Sequence, residues 1–465
     1  MSSPIIWILI PVILAIILWF IPNRRVTIIL GILISLSLAL VAWLLPIDVP
    51  LDIGNLSLKI SSSLTILGRH LILTSTDQPI LIYLYSSICF WYLGSIISGS
   101  SSKSISFGLV ITSLLISALA VEPFLYAALL IETAVLISIP FLLSETSIPG
   151  RGLMRYLTFQ TIAMIFILFS GWLLSGTSTS PAGSSIAGQA IIYLGLGLIF
   201  MLAIFPFNSW IPLLSEEAAS ANISFILWIL TTIGLLFSLY FMDTYSWIRE
   251  SIYLATIFRI SGLIMVISGG IWTAFQRDMK RMIGYAMIME IGNSMLALSI
   301  KGDTGINLFF GLLLPRTISL FLFASAVTII LNNSSSGQFT SIKGAGRKFP
   351  FASAIVVLSI FSFAGLPLLA GFPIHQSLWV QLGRISLGSA LGYFIATIGL
   401  LTGGIRVLTV LVTSSDQEGF FPHENWWQRI YLLIGFLIII FMGIFPQWAY
   451  TLTSRFPLMF NHLAK

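Results

Sequence analysis

Acidic side chains inside long apolar stretches are the first candidates for chemistry in this sequence. Glu132 lies in FLYAALLIETAVLISIPFLL, and Glu290 lies in MIGYAMIMEIGNSMLAL. A carboxyl in an apolar segment is costly, and such groups are typical of proton relays, so both are functional candidates. A structural carboxyl that bonds to a neighbouring helix remains the alternative for Glu132. Two such acids in one chain favour a proton path.

Arg316 and His375 stand in apolar stretches further along the chain. Arg316 stays charged and cannot release a proton, but it can hold water or act on a nearby acid. His375 titrates near neutral pH and could relay protons. The alternatives are an arginine that only satisfies backbone carbonyls and a buried neutral histidine.

Other basic residues are better explained by anchoring. Lys280 belongs to a charged group at the edge of an apolar stretch, which consists of Arg277, Asp278, Lys280 and Arg281. This pattern is typical of a solvated positive anchor, and Lys280 is kept as a further proton-path candidate. Arg259 and Arg406 are interpreted as partners of acids or carbonyls. No metal cluster, phosphate loop or nucleophile pair rises above chance.

The elements that position these residues are predicted to be membrane-spanning helices. Of the 465 residues, 57% are apolar and 8% are charged, whereas soluble domains carry about 25% charged residues. The composition excludes a soluble enzyme and a nucleic-acid binder. A disulfide scaffold is excluded too, because Cys89 is the only cysteine. The net charge of +6 then reports membrane orientation and not an acidic partner.

Apolar runs between polar breaks predict about fourteen transmembrane helices. The predicted spans are 4–21, 25–46, 79–98, 105–121, 123–144, 153–175, 187–210, 222–242, 252–275, 281–300, 305–331, 352–380, 386–413 and 430–452. The stretch 47–78 is predicted to be a surface loop or short hairpin. Lys and Arg are more numerous in the loops after odd-numbered spans, which favours the cytoplasmic or matrix side for those loops and the opposite side for both termini.

Two of the predicted spans contain helix-breaking residues. The seventh span holds Pro206 next to the polar Asn208, and the twelfth holds Pro367 and Pro373 close to His375. Proline frees a backbone carbonyl, which is tolerated at membrane depth where the backbone lines a wet cavity or is buried in protein. One such break is commonly a packing kink, but two, five spans apart, favour a transporter built from inverted repeats.

Three motifs give the chain a family resemblance. FPFNSWIPLLSEEAA, FQRDMKRMIGYAMIMEIG and GLPLLAGFPIHQSL resemble segments of the antiporter-like membrane subunits of respiratory complex I and its photosynthetic and hydrogenase relatives. These subunits are similar in turn to the large subunits of multisubunit cation/proton antiporters. The resemblance extends from about residue 80 to 415. It implies an all-α polytopic membrane fold with two inverted five-helix repeats and breaks in helices seven and twelve.

The resemblance also implies a division of the chain and a set of functional positions. Helices one to three with the outward loop fall in 1–104, the two inverted repeats in 105–245 and 246–415, and the last helix in 416–465. Glu132 matches the family's glutamate in span five. The lysine expected in span seven falls on or near Met201, and the cation of span eight falls near Thr231 or Thr232. The usual chain of charges is thereby reduced to Glu132, a polar gap, Arg316 and His375.

The resemblance implies a proton-translocating subunit of a complex I-like NAD(P)H- or ferredoxin-quinone oxidoreductase, one of its two smaller antiporter-like chains. The quinone and the redox centres would lie in partner subunits of the membrane and redox arms, since this chain carries no cofactor motif. The membrane would be a bacterial cell membrane, a thylakoid or a mitochondrial inner membrane. Two alternatives stay open: a spacer subunit that does not pump, and a subunit of a multisubunit cation/proton antiporter.

Overall fold

The computed structural model describes most of the chain. The described residues are 2–53, 56–66, 68–99, 101–143, 149–175, 185–249, 251–334, 336–413, 422–460 and 462–463.

Helices dominate the described residues. They are α1 (Ile10–Trp19), α2 (Arg24–Leu44), α3 (Gln78–Ser98), α4 (Ser102–Ala120), α5 (Leu125–Leu142), α6 (Arg151–Ser175), α7 (Ser185–Met201), α8 (Trp210–Glu217), α9 (Ser220–Thr244), α10 (Ser246–Arg249), α11 (Ile252–Phe275), α12 (Met279–Leu298), α13 (Asp303–Leu331), α14 (Ala345–Lys348), α15 (Pro350–Phe363), α16 (Phe372–Ile385), α17 (Leu387–Val412), α18 (Trp426–Ile444) and α19 (Pro446–Thr453). A π-helical turn, Ile5–Leu9, precedes α1, and 3₁₀ turns cover Ser75–Asp77, Phe207–Ser209 and Phe456–Met459.

The predicted class, an all-α polytopic membrane protein, is confirmed. Within the described residues, ten helices are long and apolar enough to cross a membrane. Three shorter apolar helices, Ile5–Trp19, Gly188–Met201 and Pro350–Phe363, accompany them. The total of fourteen crossings stays a prediction, as do the boundaries of the two repeats.

The stretch 47–78 forms small antiparallel strands, in keeping with its alternating apolar residues. Strand β1 (Leu51–Ile53) pairs with β2 (Leu56–Leu58), and β3 (Ser63–Ile66) pairs with β4 (Arg69–Ile72). A third strand, β5 (Val121–Glu122), joins β4 at the end of α4. These strands therefore join the stretch 47–78 to the end of α4.

The bundle has a buried centre and an apolar exterior. The most apolar window of α9 is 94% buried and that of α13 is 83% buried, whereas those of α11 and α18 are 28% buried. The peripheral helices expose large apolar side chains such as Ile257 and Leu437. This arrangement suits lipid outside, and it places α13, which carries Arg316, at the centre.

Small residues bring α11 into close contact with two helices that carry site residues. A Cβ on Gly269 would lie 2.6 Å from the Met289 nitrogen of α12, and one on Gly270 would lie 2.2 Å from the Ala396 oxygen of α17. Close backbone approach through glycine is how membrane helices gain packing contacts when lipid gives no hydrophobic advantage. Helix α11 thus fixes the spacing of α12 and α17.

Both predicted helix breaks are present. The seventh predicted span, 187–210, contains α7 and the break after it, and α8 begins at its last residue, whereas the twelfth divides into α15 and α16. In each break the backbone makes the same pair of hydrogen bonds. Ala203 N bonds to the Phe200 oxygen and Ile204 N to the Ile199 oxygen, as Gly365 N bonds to the Ser362 oxygen and Leu366 N to the Phe361 oxygen. This is the Schellman pattern that ends helices with a left-handed residue, here Ala203 (φ 53°) and Gly365 (φ 66°).

Candidate functional site

The centre of the second half holds a buried ion pair. Arg316 of α13 donates from Nε to Oε2 of Glu290 on α12 over 3.1 Å, and the two side chains are 0% and 2% exposed. Arg316 Nη2 also donates to the backbone oxygen of Glu290 (2.8 Å) and to the Ser294 hydroxyl. The planar guanidinium is therefore locked on one turn of α12, a geometry that a lysine could not reproduce.

His375 of α16 extends this pair into a cluster of titratable groups. Its Nε2 lies 3.5 Å from Glu290 Oε1, and its Nδ1 lies 2.7 Å from the hydroxyl of Tyr393 on α17. Asn293 Nδ2 donates to the same Oε1 over 2.9 Å. Glu290, Arg316 and His375 thus meet in one buried site, which we call the charge cluster, although they come from three helices.

The second helix break positions the imidazole. The left-handed Gly365 lies against the ring, because a Cβ there would be 2.7 Å from the His375 Cβ. Gly371 N donates to the Ser362 hydroxyl (3.2 Å), which also accepts from the Ser319 hydroxyl of α13 (2.9 Å). These bonds satisfy polar groups of the interrupted helix, as burial in a membrane protein requires.

The first helix break has the same backbone pattern but, among the described residues, no buried charge, although the exposed Arg155 of α6 donates from Nη1 to the Ser209 hydroxyl over 3.2 Å. Pro206 and Asn208 lie between α7 and α8, as Pro367 lies between α15 and α16, and Pro373 is in the first turn of α16. Gln160 of α6 donates to the oxygen of Met201 over 3.2 Å, so an uncharged amide serves the carbonyl freed at this break. Met201 itself is buried.

Glu132 does not contact the charge cluster among the described residues. It is half-buried on α5, and its Oε1 accepts from the Thr161 hydroxyl of α6 over 2.8 Å. Thr161 is exposed on the outside of the chain, and Glu132 Oε2 has no hydrogen-bond partner within the described part. The predicted carboxyl is therefore close to the lateral surface of the bundle.

Lys280 lies in the first turn of α12 and links this helix to α8. Asp278 begins α12 by accepting from the backbone nitrogens of Lys280 (2.8 Å) and Arg281 (3.1 Å), as an N-cap residue does. Lys280 Nζ donates to the Glu216 backbone oxygen near the end of α8. Arg281 contacts the Glu216 carboxylate, with Nη2 2.5 Å and Nε 2.7 Å from Oε2. The anchoring interpretation fits this geometry, whereas the predicted proton-path role of Lys280 stays a prediction.

Two further arginines differ in what they contact. Arg406 of α17 donates to the Ala274 oxygen at the end of α11, so it serves a backbone carbonyl in the way that its interpretation requires. Arg259 of α11 makes no hydrogen bond or ion pair within the ranges that the structure describes. Neither residue belongs to the charge cluster.

No pattern in the sequence distinguishes Tyr393, Asn293 and Ser294 as site residues. Each completes the charge cluster through a side chain whose orientation only the packing of α12, α13 and α17 determines. A second polar group was missed for the same reason. Tyr83 of α3 shares a hydrogen bond with Thr317 of α13 (2.6 Å) and accepts from the Trp228 indole of α9 (2.9 Å).

The fold and the site define a class: a multi-pass integral membrane protein with two interrupted helices and buried charged residues in its centre. Residues 124–402 match the family model described as "NADH:quinone oxidoreductase/Mrp antiporter, TM", which lies inside the range of the predicted resemblance. The chain belongs to this family.

Two curated relatives are both named NADH-quinone oxidoreductase subunit N. The protein from Ectopseudomonas mendocina is 25% identical over 329 residues, which are 63% of this chain and 63% of that protein. The protein from Francisella tularensis subsp. holarctica is 27% identical over 259 residues, 54% of this chain and 52% of that protein. The alignments thus cover between half and two thirds of the relatives' length.

Solved structures share the fold over nearly the whole chain. A chain of the archaeal membrane-bound sulfane sulfur reductase gives a TM-score of 0.81 at 15% identity, with 98% of this chain and 96% of that chain covered. Respiratory complex I from Thermus thermophilus gives 0.76 at 15% identity, with coverage of 98% and 100%. The Mrp complex from Dietzia gives 0.78 at 12% identity, with coverage of 99% and 97%. At these identities the likeness shows the fold alone.

Proposed function

We propose that this chain is an antiporter-like subunit of the membrane arm of a complex I-like NAD(P)H- or ferredoxin-quinone oxidoreductase, and that it moves protons through its second half. One observation carries the proposal: a histidine and a carboxylate, 3.5 Å apart, face each other in a buried site beside an interrupted helix. The family membership and the two relatives named as quinone oxidoreductase subunits support the assembly.

His375 and Glu290 can share one mobile proton, while Tyr393 and Arg316 hold these two side chains in place. With Nδ1–H donating to the Tyr393 oxygen, an added proton on His375 Nε2 faces Glu290 Oε1 and can pass to it, which leaves a neutral imidazole and a neutral carboxyl. Arg316 keeps its charge throughout and holds Glu290 in place. Because 3.5 Å exceeds a normal hydrogen bond, transfer needs a closer approach of the two groups.

The remaining parts of the assignment rest on partner chains. Glu132 presents its carboxyl near an exposed outer face, so we place a neighbouring membrane-arm subunit against α5 and α6, where it would shield Glu132 from lipid. Quinone and redox centres belong to partner subunits. The charge distribution supports termini on the periplasmic, lumenal or intermembrane side of a bacterial, thylakoid or mitochondrial inner membrane.

The test is proton translocation per electron pair by the purified assembly in liposomes. His375→Gln and Glu290→Gln should lower the stoichiometry while quinone reduction in detergent, where no gradient opposes it, stays close to wild type. His70→Gln is the matched control, because His70 is exposed on strand β4 and its ring bonds only to Thr65 among the described residues. Glu132→Gln tests the predicted proton-transfer role of Glu132 separately.

A spacer subunit is the second candidate, and the first break favours it, because the described residues place no buried charge there. Unchanged stoichiometry in both His375→Gln and Glu290→Gln, with intact assembly, would establish the spacer and refute the proton path. Cation-driven proton exchange by an assembly without quinone reductase activity would instead assign the chain to a multisubunit antiporter.

A further inference from the structure

A long groove opens on the membrane face of the chain, away from the charge cluster. It has a volume of about 920 Å³, near the upper end of the roughly 300–1,000 Å³ usual for ligand pockets. Its walls come from α2, α3, α13 and α18, and the segment after α19 closes one end. Nothing in the proton path uses it.

The groove has the length of an acyl chain. Along α3 its lining runs from Gln78 to Phe90, which is about 18 Å at 1.5 Å per helical residue. The hydrocarbon core of a bilayer is roughly 30 Å thick, so the groove extends past the depth of one leaflet. The walls between these ends are mostly apolar, with Ile82, Leu314 and Ile438 among them.

The polar groups deep in the groove are already satisfied. Ser86 Oγ donates to the Ile82 oxygen (2.5 Å), and Thr317 Oγ1 donates to the Leu313 oxygen (2.7 Å). The Tyr83 hydroxyl shares a hydrogen bond with Thr317 and accepts from Trp228. A bound molecule therefore finds mainly apolar contacts at this depth, since these hydroxyls are engaged elsewhere.

One end of the groove carries an available positive charge. Arg455 is exposed, and its guanidinium makes no hydrogen bond or ion pair with the residues that the structure describes. The exposed hydroxyl residues Ser75 and Thr76 line the same end. Trp43, 68% exposed near the end of α2, also lines the groove, and tryptophan is the residue enriched at the membrane–water interface.

Asp77, the acid that follows Ser75 and Thr76 in the sequence, does not neutralise the Arg455 end of the groove. Asp77 Oδ2 accepts from the Thr74 nitrogen (2.7 Å) and hydroxyl (2.9 Å), and Asp77 lines a separate small cavity on the other side of α3. A molecule with an anionic group at one end and a long apolar body fits this distribution, because basic pockets between membrane helices recognise phospholipid headgroups.

We propose that the groove binds a diacyl phospholipid, with its phosphate on Arg455 and one acyl chain along α3. The lipid closes the space between α2 and the helices α13 and α18. It thereby acts as a structural component of this face of the chain. The proposal does not depend on whether the chain moves protons.

The test counts phospholipid retained by the purified assembly after a detergent wash. Arg455→Gln should lower the affinity for added phosphatidylglycerol about tenfold, the cost of one charge-assisted contact. Arg384→Gln, an exposed arginine outside the groove, should leave it unchanged. Diacylglycerol, which has the same chains but no phosphate, should bind the wild type as weakly as phosphatidylglycerol binds Arg455→Gln.

A second pair of variants tests the apolar part. Ser86→Phe places a ring in the groove and should remove the retained phospholipid. Ser37→Phe is the matched control, because Ser37 is also exposed and bonds to its own helix at Ile34 but does not line the groove. Equal retention by wild type and Ser86→Phe overturns the proposal. Retention of a phosphate-free lipid in place of the phospholipid also overturns it. So does a Ser86→Phe chain that no longer assembles but retains as much phospholipid as the wild type, which would assign the groove to a partner helix.

Discussion

Removal of one partner from the Glu290–Arg316 pair should destabilise the chain strongly. Both side chains are almost completely buried, so solvent does not screen a charge left behind. Breaking such a pair costs about 3–5 kcal/mol, whereas replacing both partners by neutral groups is often nearly neutral. We therefore expect Arg316→Met and Glu290→Gln each to lower the free energy of unfolding by about 3 kcal/mol or more.

The double variant distinguishes a true pair from two independent contacts. Arg316→Met combined with Glu290→Gln removes both charges, and the glutamine can still accept from Asn293. We expect the double variant to recover at least about 2 kcal/mol of the summed single losses, within the range of coupling energies for residues in contact. Arg316→Lys keeps the charge but loses the planar fork that reaches Glu290 and Ser294, so it should fall between wild type and Arg316→Met.

The assay is equilibrium unfolding of the full chain in bicelles by added SDS, with folding followed by tryptophan fluorescence. A parallel measurement of assembled complex in membranes checks that the order of stabilities holds outside detergent. The ion pair does not hold α12 to α13 if the losses of unfolding free energy in Arg316→Met and Glu290→Gln simply add in the double variant. The same follows if each single variant lies within about 0.5 kcal/mol of wild type. The packing argument for the charge cluster would then fail.

Three further predictions concern the Glu216–Arg281 pair, Glu424 and Gly365. Glu216→Gln removes the ion pair with Arg281 and should cost no more than about 1 kcal/mol, because both side chains are 39% exposed; chemical unfolding measures it. Burial raises the pKa of Glu424, outside the spans, from its ordinary 4.5, so its contribution to stability is present at low pH and is lost as pH rises through the raised value. Melting curves between pH 4.5 and 8 should therefore show Glu424→Gln gaining on wild type with increasing pH. Gly365→Ala should cost about 1–3 kcal/mol, since the glycine has φ 66° and a Cβ there would lie 2.7 Å from the His375 Cβ, whereas Ala203→Gly at the matching position should be neutral or stabilising.

The sequence predicted the breaks because their signals are local. Proline and glycine act on their own backbone, so Pro206, Pro367 and Pro373 marked the interruptions without knowledge of any neighbour. The apolar runs predicted most helices for the same reason. What the runs did not determine is how many of them cross the membrane, because short helices such as α15, with 14 residues, fall below the roughly 20 residues that one crossing needs.

The site was predictable only as a set of residues. Burial of a charge inside an apolar run is visible in the sequence, so Glu290, Arg316 and His375 could be chosen. Their meeting in one cluster could not, because it depends on the rotation of α12, α13 and α16 about their axes. Glu132 has the same local signal as Glu290, yet it lies near the lateral surface, and no feature of its own segment distinguishes the two positions.

The two breaks share a backbone pattern and differ in chemistry, and this difference favours the second break for the proposed proton path. If a helix break alone were enough for ion movement, the polar group around Gln160 and Met201 would serve as well as the charge cluster. A proton needs groups that accept and release it near neutral pH, and only the second break has a histidine against its left-handed glycine. The alanine at the corresponding place in the first break has a Cβ and faces no titratable residue within the contacts described. The first half thus keeps the geometry of the fold, while the second half keeps the groups that can exchange a proton.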